Sequence, residues 1–434
     1  MNKTIKYFFL LMVFGAVTAT ANVRFDDFFK EQTLRYDFLL AGDHRSVEIF
    51  PQQMKLEPHW AGSKVNLTDP SEFGNYRVCV FDEASGQLIF SRGFSLLFIE
   101  WQSTEEAKHT KRSFYQSVFV PFPKKKIKLE IEQRRWEGDF VRIHSTVVDP
   151  NDYFIVRETP KKYETRDLLK SGKPEECVDL LFLAEGYTAD EMDKFIADSK
   201  RMTDYLFSVA PFDRHKSRFN VTAVLCPSEE PGTDIPGELI YKNTLLNSTF
   251  YTFGTPRYLT TSDMKTIYDV AAPVPRDHII VLVNTDRYGG GGFYNFMAVG
   301  TADNELSEEV LVHEFGHSFA GLGDEYYSSS VAYENFYNLE TELWEPNLTT
   351  LVDFDSKWKK MLKKDTPVPT PRTARYQKTT GVFEGGGYSP KGIYSPMMDC
   401  RMKSNEALHF CPVCSEAIEK TIELHTQKLS IYGQ

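Results

Sequence analysis

Two histidines four residues apart bracket a glutamate in the run His313-Glu314-Phe315-Gly316-His317. No other feature constrains the chain as strongly. That spacing puts both imidazoles on one helical face, one turn apart. Two nitrogens so placed can grip a single tetrahedral Zn2+. Glu314 sits beside them and can take the proton of a water polarised by the ion. Five-residue matches also arise by chance on amphipathic helices, so the flanks carry weight. Upstream, Ser307 can cap the helix, and Glu308 and Glu309 suit its positive first turn. Leu306, Val310, His313 and His317 fall near one face. Downstream, Gly321 and Gly323 can end the helix and turn the chain. A carboxylate just beyond that turn can swing back as the third ligand, leaving one position open. Asp324 is the first choice and Glu325 the alternative; the bland reading is that Asp324 only caps or salt-bridges near the turn.

At 434 residues the chain is too long for one ordinary core and predicts two or three domains. Hydrophobic content of 41% and aromatic content of 14% fill such cores and exclude long disorder. A net charge of −11 argues against a nucleic-acid binder. At the N-terminus, Lys3 and Lys6 precede an apolar run from Tyr7 to Val17 and the small-x-small site Ala19-Thr20-Ala21. That order predicts a signal peptide over residues 1–21, cleaved after Ala21, and a secreted, periplasmic or cell-surface protein. No later segment is long and apolar enough to span a membrane.

Residues 22–165 read as an all-β sandwich. Alternating runs such as Tyr76 to Phe81 and Lys126 to Ile131 are separated by turn signals such as Ser85-Gly86. Tyr163 to Glu176 reads as a linker. From residue 170 to 434 the texture is α/β or α+β. Val178 to Leu183 and His278 to Asn284 read as buried strands, and Thr188 to Ala210 as a helix opened by a Thr188/Glu191 capping box.

The zinc motif resembles the metzincin pattern H-E-x-x-H-x-x-G-x-x-H. It departs in that Gly321 comes one residue late and the third ligand is acidic. The longer run His313 to Tyr326, H-E-F-G-H-S-F-A-G-L-G-D-E-Y, resembles the signature of peptidase family M64, which includes an immunoglobulin-A-cleaving metallopeptidase. Thr33-Leu34-Arg35-Tyr36-Asp37 resembles the family's N-terminal module. Glu185-Gly186-Tyr187-Thr188 and Tyr388 to Cys414 resemble parts of its catalytic domain. The resemblance implies a multidomain fold with a metzincin-like zinc peptidase domain, one catalytic Zn2+ and a protein or peptide substrate. It does not imply immunoglobulin as that substrate. It also implies a methionine turn beneath the metal, with Met402 matching best and Met397 as the alternative.

Other residues have less specific readings. The run Arg287 to Tyr294 holds four consecutive glycines, suiting either close approach of an extended peptide or a flexible hairpin before a strand at Asn295 to Gly300. Tyr326, Tyr388 and Tyr394 are candidate oxyanion stabilisers. Cys400, His409, Cys411 and Cys414 suit a structural zinc site, although export favours a disulfide. The leading expectation is an exported zinc endopeptidase with Glu314 as general base and no nucleic-acid partner. The alternatives are a surface binding module with a structural metal, and a zinc amidase.

Overall fold

The structure, a computed structural model, describes residues 23–328 and 335–426. The predicted signal peptide lies outside them. The first half of the chain is rich in β-strands. After a single helical turn, α1 (Phe25–Phe28), come β1 (Phe29–Gly42), β2 (Val47–Glu57), β3 (Tyr76–Asp82) and β4 (Leu88–Phe94). A short helix, α2 (Leu97–Gln102), leads to β5 (Arg112–Pro123), β6 (Ile127–Arg134), β7 (Phe140–Val148) and β8 (Ile155–Val156). They form two four-stranded sheets, ordered β5-β1-β2-β8 and β4-β3-β6-β7. Leu34, Tyr36, Phe38 and Leu40 alternate along β1 and are all buried. The Tyr36 hydroxyl reaches His144 Nε2 in the other sheet at 2.8 Å.

The second half is α/β. Its elements are β9 (Glu164–Leu169), β10 (Val178–Glu185), α3 (Met192–Leu206), α4 (Phe212–His215), β11 (Phe219–Leu225), β12 (Ser248–Thr249), β13 (Thr260–Thr261) and α5 (Met264–Ala271). Then follow β14 (His278–Val283), β15 (Gly290–Phe293), β16 (Met297–Thr301), α6 (Ser307–Ala320), β17 (Phe383–Gly386), β18 (Ser389–Ser395) and α7 (Pro412–Thr426). Six strands make one sheet, ordered β15-β16-β14-β10-β11-β9. The inner four are parallel, and β9 and β15 run antiparallel along the edges. Every residue of β10 and β14 is buried, as expected where helices cover both faces of a parallel sheet. The stretch read as a linker therefore contains an edge strand, β9. The capping box is present: Glu191 Oε2 accepts from Thr188 N–H at 2.9 Å and from its hydroxyl at 3.0 Å. The helix it opens ends at Leu206, four residues earlier than its apolar pattern suggested.

The two halves share a continuous apolar core. The second face of β1 explains why. Arg35 and Asp37 lie there fully buried, paired at 2.6 Å, and Arg35 Nη1 reaches Asp269 of α5 at 2.8 Å. Asp37 also accepts from Tyr115 at 2.7 Å, Ser117 at 2.5 Å and Gln53 at 2.8 Å. A second ion pair, Glu57 with Arg276 at 2.8 Å, crosses the same junction. Buried charges of this kind are costly unless every member is paired. Asp37→Ala should therefore destabilise the whole chain by about 3–5 kcal/mol. Urea unfolding of the full-length protein would check this; a change below about 1 kcal/mol would show that the network contributes little.

Candidate metal centre

Helix α6 carries the two histidines and lies on the glycine-rich edge strand. A Cβ on Gly292 would meet the Glu314 carbonyl oxygen at 2.2 Å, and one on Gly290 would meet the side chains of Glu314 and Val310 at 3.0 Å. The glycines are thus needed for the helix to approach its strand. The run is itself the edge strand β15, and the strand expected at Asn295 to Gly300 is the next one in, β16. The outer edge of β15 is already engaged at both ends: Leu259 N–H donates to Gly290 O, and Ser95 N–H to Tyr294 O at 2.9 Å. Ser307 does not cap α6 through its side chain. Its hydroxyl instead accepts from Asn304 N–H at 3.0 Å and meets that of Thr301 at 3.1 Å.

The helix stops at Gly321, whose φ of +63° suits glycine best. Three residues later Asp324 returns to the imidazoles. Its Oδ1 lies 3.0 Å from His313 Nε2 and 3.3 Å from His317 Nε2, and the two Nε2 atoms are 3.1 Å apart. Each Nδ1 points at a backbone carbonyl, Arg401 O for His313 at 2.9 Å and Leu322 O for His317 at 2.5 Å. A protonated Nδ1 donating to each carbonyl leaves both Nε2 lone pairs facing each other and the carboxylate. Such an arrangement suits a bound cation. Burial works against it, yet Asp324 lifts the His317 imidazole to about 9, while the two imidazoles hold the Asp324 carboxyl well below its usual range. A four-coordinate ion with bonds of about 2.0–2.1 Å has ligand–ligand edges of about 3.3–3.4 Å, close to those observed. The three atoms fit one face of such a tetrahedron.

Glu325, the alternative third ligand, points elsewhere, towards Cys414 and Cys411. The Asp324 loop is fastened on several sides. Glu325 N–H donates to Met402 O at 2.8 Å, Gly387 N–H to Asp324 O at 2.7 Å, and Tyr388 N–H to Tyr326 O at 3.1 Å. Gly387 and Tyr388, at φ +53° and +62°, form the two-residue turn of the β17–β18 hairpin. Tyrosine is costly in that conformation, and here its hydroxyl donates to Asp324 Oδ2.

Met402 is fully buried, and its sulfur would lie 2.7 Å from a Cβ on Gly316, so it packs directly beneath α6. Met397 is half-buried at the margin of the core. Of the three tyrosines, Tyr326 and Tyr388 line the cleft and Tyr394 does not. Tyr326 stacks near His313, with ring centroids 6.3 Å apart, and is paired with Arg257. His409 is exposed and takes no part in the cysteine cluster.

Glu314 also lines the cleft, and burial raises its carboxyl above the ordinary range. The opposite wall comes from the β-rich half. Ile99 and Glu100 of α2 line the same cleft as His313, His317 and Asp324, and Glu100 accepts from the Tyr258 hydroxyl. Burial pushes the Glu100 carboxyl up to about 7. Sequence reasoning missed Glu100, because a lone acid in a six-residue helix carries no local signal.

Models of two protein families match this chain. One, described as IgA Peptidase M64, matches residues 167–374 and 372–422. The other, described as Peptidase M64 N-terminus, matches residues 24–145. No curated protein matches it.

Removing the Tyr388 hydroxyl should loosen Asp324. Tyr388→Phe is expected to weaken divalent-metal affinity about 10–100-fold, the usual effect of losing a partner behind a ligand. Competition with a chelator would measure this, and unchanged affinity would exclude a role for that bond.

Proposed function

Because the chain belongs to the IgA peptidase M64 family, we propose that it is a zinc-dependent endopeptidase with a metzincin-like site, acting on protein outside the cytoplasm. The observation that carries this reading is the convergence of His313 Nε2, His317 Nε2 and Asp324 Oδ1 within 3.3 Å of one another, in a cleft that Glu314 also lines. These three residues would hold the ion and leave one position for solvent or substrate. A zinc ion there supplies Lewis acidity and brings the pKa of water down to about 7.

The chain's own groups do the rest. Glu314, raised in pKa by burial, takes the proton of the attacking water and later delivers it to the leaving nitrogen. Tyr388 is committed to Asp324 and Tyr394 lies outside the cleft. That leaves Tyr326, paired with Arg257 beside His313, to donate to the developing oxyanion. Met402 beneath Gly316 acts as the methionine turn. The cleft has walls from both halves, so the substrate meets α2 as well as α6. Immunoglobulin specificity does not follow from family membership.

Digestion of a mixed peptide library by wild type and variants, with zinc measured in each, tests this reading. Glu314→Ala should retain zinc and lose about 10²–10⁴-fold in kcat. Tyr326→Phe should lose about 10²–10³-fold in kcat with little change in KM. Full cleavage by Glu314→Ala would end the proposal. Export is tested separately by N-terminal sequencing of the mature protein. Processing should expose Asn22, and an intact Met1 on the active protein would refute export through this segment.

A further inference from the structure

The loop that presents Asp324 to the imidazoles presents Glu325 to a second cluster behind it. Glu325 Oε1 lies 3.1 Å from Cys414 Sγ and 4.0 Å from Cys411 Sγ, and Cys400 Sγ lies 3.8 Å from Cys414 Sγ. One ligand atom from each of the four residues lies within 4.8 Å of all the others, and all four residues are buried. The Glu325 carboxylate is fully enclosed, and its second oxygen, Oε2, has no hydrogen-bond partner. An enclosed carboxylate among three sulfurs is unfavourable unless a cation is shared between them.

We propose that Glu325, Cys400, Cys411 and Cys414 bind a second zinc ion with a structural role. Zinc–sulfur bonds of about 2.3 Å give sulfur–sulfur edges of about 3.8 Å in a tetrahedron, the separation seen for Cys400 and Cys414. Mixed oxygen–sulfur edges come to about 3.5 Å, midway between the two Glu325 distances. Three thiolates and a carboxylate fill all four positions, so this ion has no open corner and no hydrolytic role.

The surroundings suit metal-bound thiolates. Cys411 N–H donates to Cys400 Sγ at 3.2 Å, and Cys414 N–H to Cys411 Sγ at 3.5 Å. The Cys411–Cys414 turn forms the start of α7, where the helix dipole favours negative charge. Asn347 donates to Glu325 Oε1 at 3.0 Å, and the Lys403 ammonium lies 2.8 Å from Glu325 O. A disulfide accounts for the cluster less well. It must close two sulfurs to about 2.05 Å and still leaves a third thiol against the enclosed carboxylate.

The second ion would couple to the first centre through the chain. Cys400 precedes Arg401, whose carbonyl orients His313, and Glu325 follows Asp324. The ion therefore ties the Asp324 loop, the segment beneath α6 and the start of α7 to one another.

Zinc content per chain, measured on full-length protein purified without chelator, decides the matter. Wild type should hold two ions. His313→Ala/His317→Ala should hold one, because only the sulfur site remains, and cobalt loaded into that variant should show thiolate-to-cobalt charge-transfer absorption. Cys411→Ser/Cys414→Ser should lose one ion relative to wild type. If that variant fails to fold, the double-histidine variant still gives the answer, independently of any peptidase activity. No metal in the double-histidine variant, cobalt without thiolate absorption, or four titratable thiols instead of six in the denatured wild type would overturn the proposal.

Discussion

Both imidazoles of α6 are turned by backbone carbonyls, and much of the second half of the chain is arranged to put those carbonyls in place. Leu322 O is local, supplied by the turn after Gly321. Arg401 O comes from a segment 88 residues away in sequence. Holding each Nδ1 in this way aims two lone pairs at one point. Asp324 returns to the same point, where the hairpin tip at Gly387 and Tyr388 holds it. Removing either carbonyl contact would free a ring to rotate and dissolve the convergence.

Small residues let α6 reach this position. Gly290 and Gly292 let it settle on the edge strand, and Gly316 lets Met402 and Phe410 come up beneath it. The helix is therefore wedged between the sheet and the segment that carries Arg401. The same close packing leaves no room for side-chain growth at Gly292 or Gly316, while Gly290, Gly291 and Gly292 also line the cleft.

The β-rich half is built into the same object. The middle of β1, from Thr33 to Phe38, is buried on both faces, which is why Arg35 and Asp37 can be fully enclosed yet paired. By anchoring that strand against α5, the chain also sets α2 beside the two histidines and Asp324, so Glu100 and Ile99 become part of the cleft wall. A protein fragment lacking this half would lose one side of its cleft and expose a large apolar face.

Local geometry made much of this legible in advance. Four-residue spacing is one helical turn wherever it occurs, so His313 and His317 had to share a face, and glycines after the helix had to turn the chain before Asp324. The Thr188 capping box was readable for the same reason, as was the division into β-rich and α/β halves. Which of Asp324 and Glu325 turns towards the imidazoles is a matter of backbone direction, which neighbouring residues in a sequence do not record. What the sequence could not disclose depends on pairs far apart along the chain. The reason for four glycines, the place of Glu100 in the cleft, the Tyr388 bond to Asp324, and the meeting of Glu325 with three cysteines all arise from packing between distant segments. No periodicity records such contacts. The sequence alone therefore determined which groups are available for chemistry, through short-range helical and turn geometry. Tertiary structure decided which of them meet, because only folding brings residues tens to hundreds of positions apart within bonding distance.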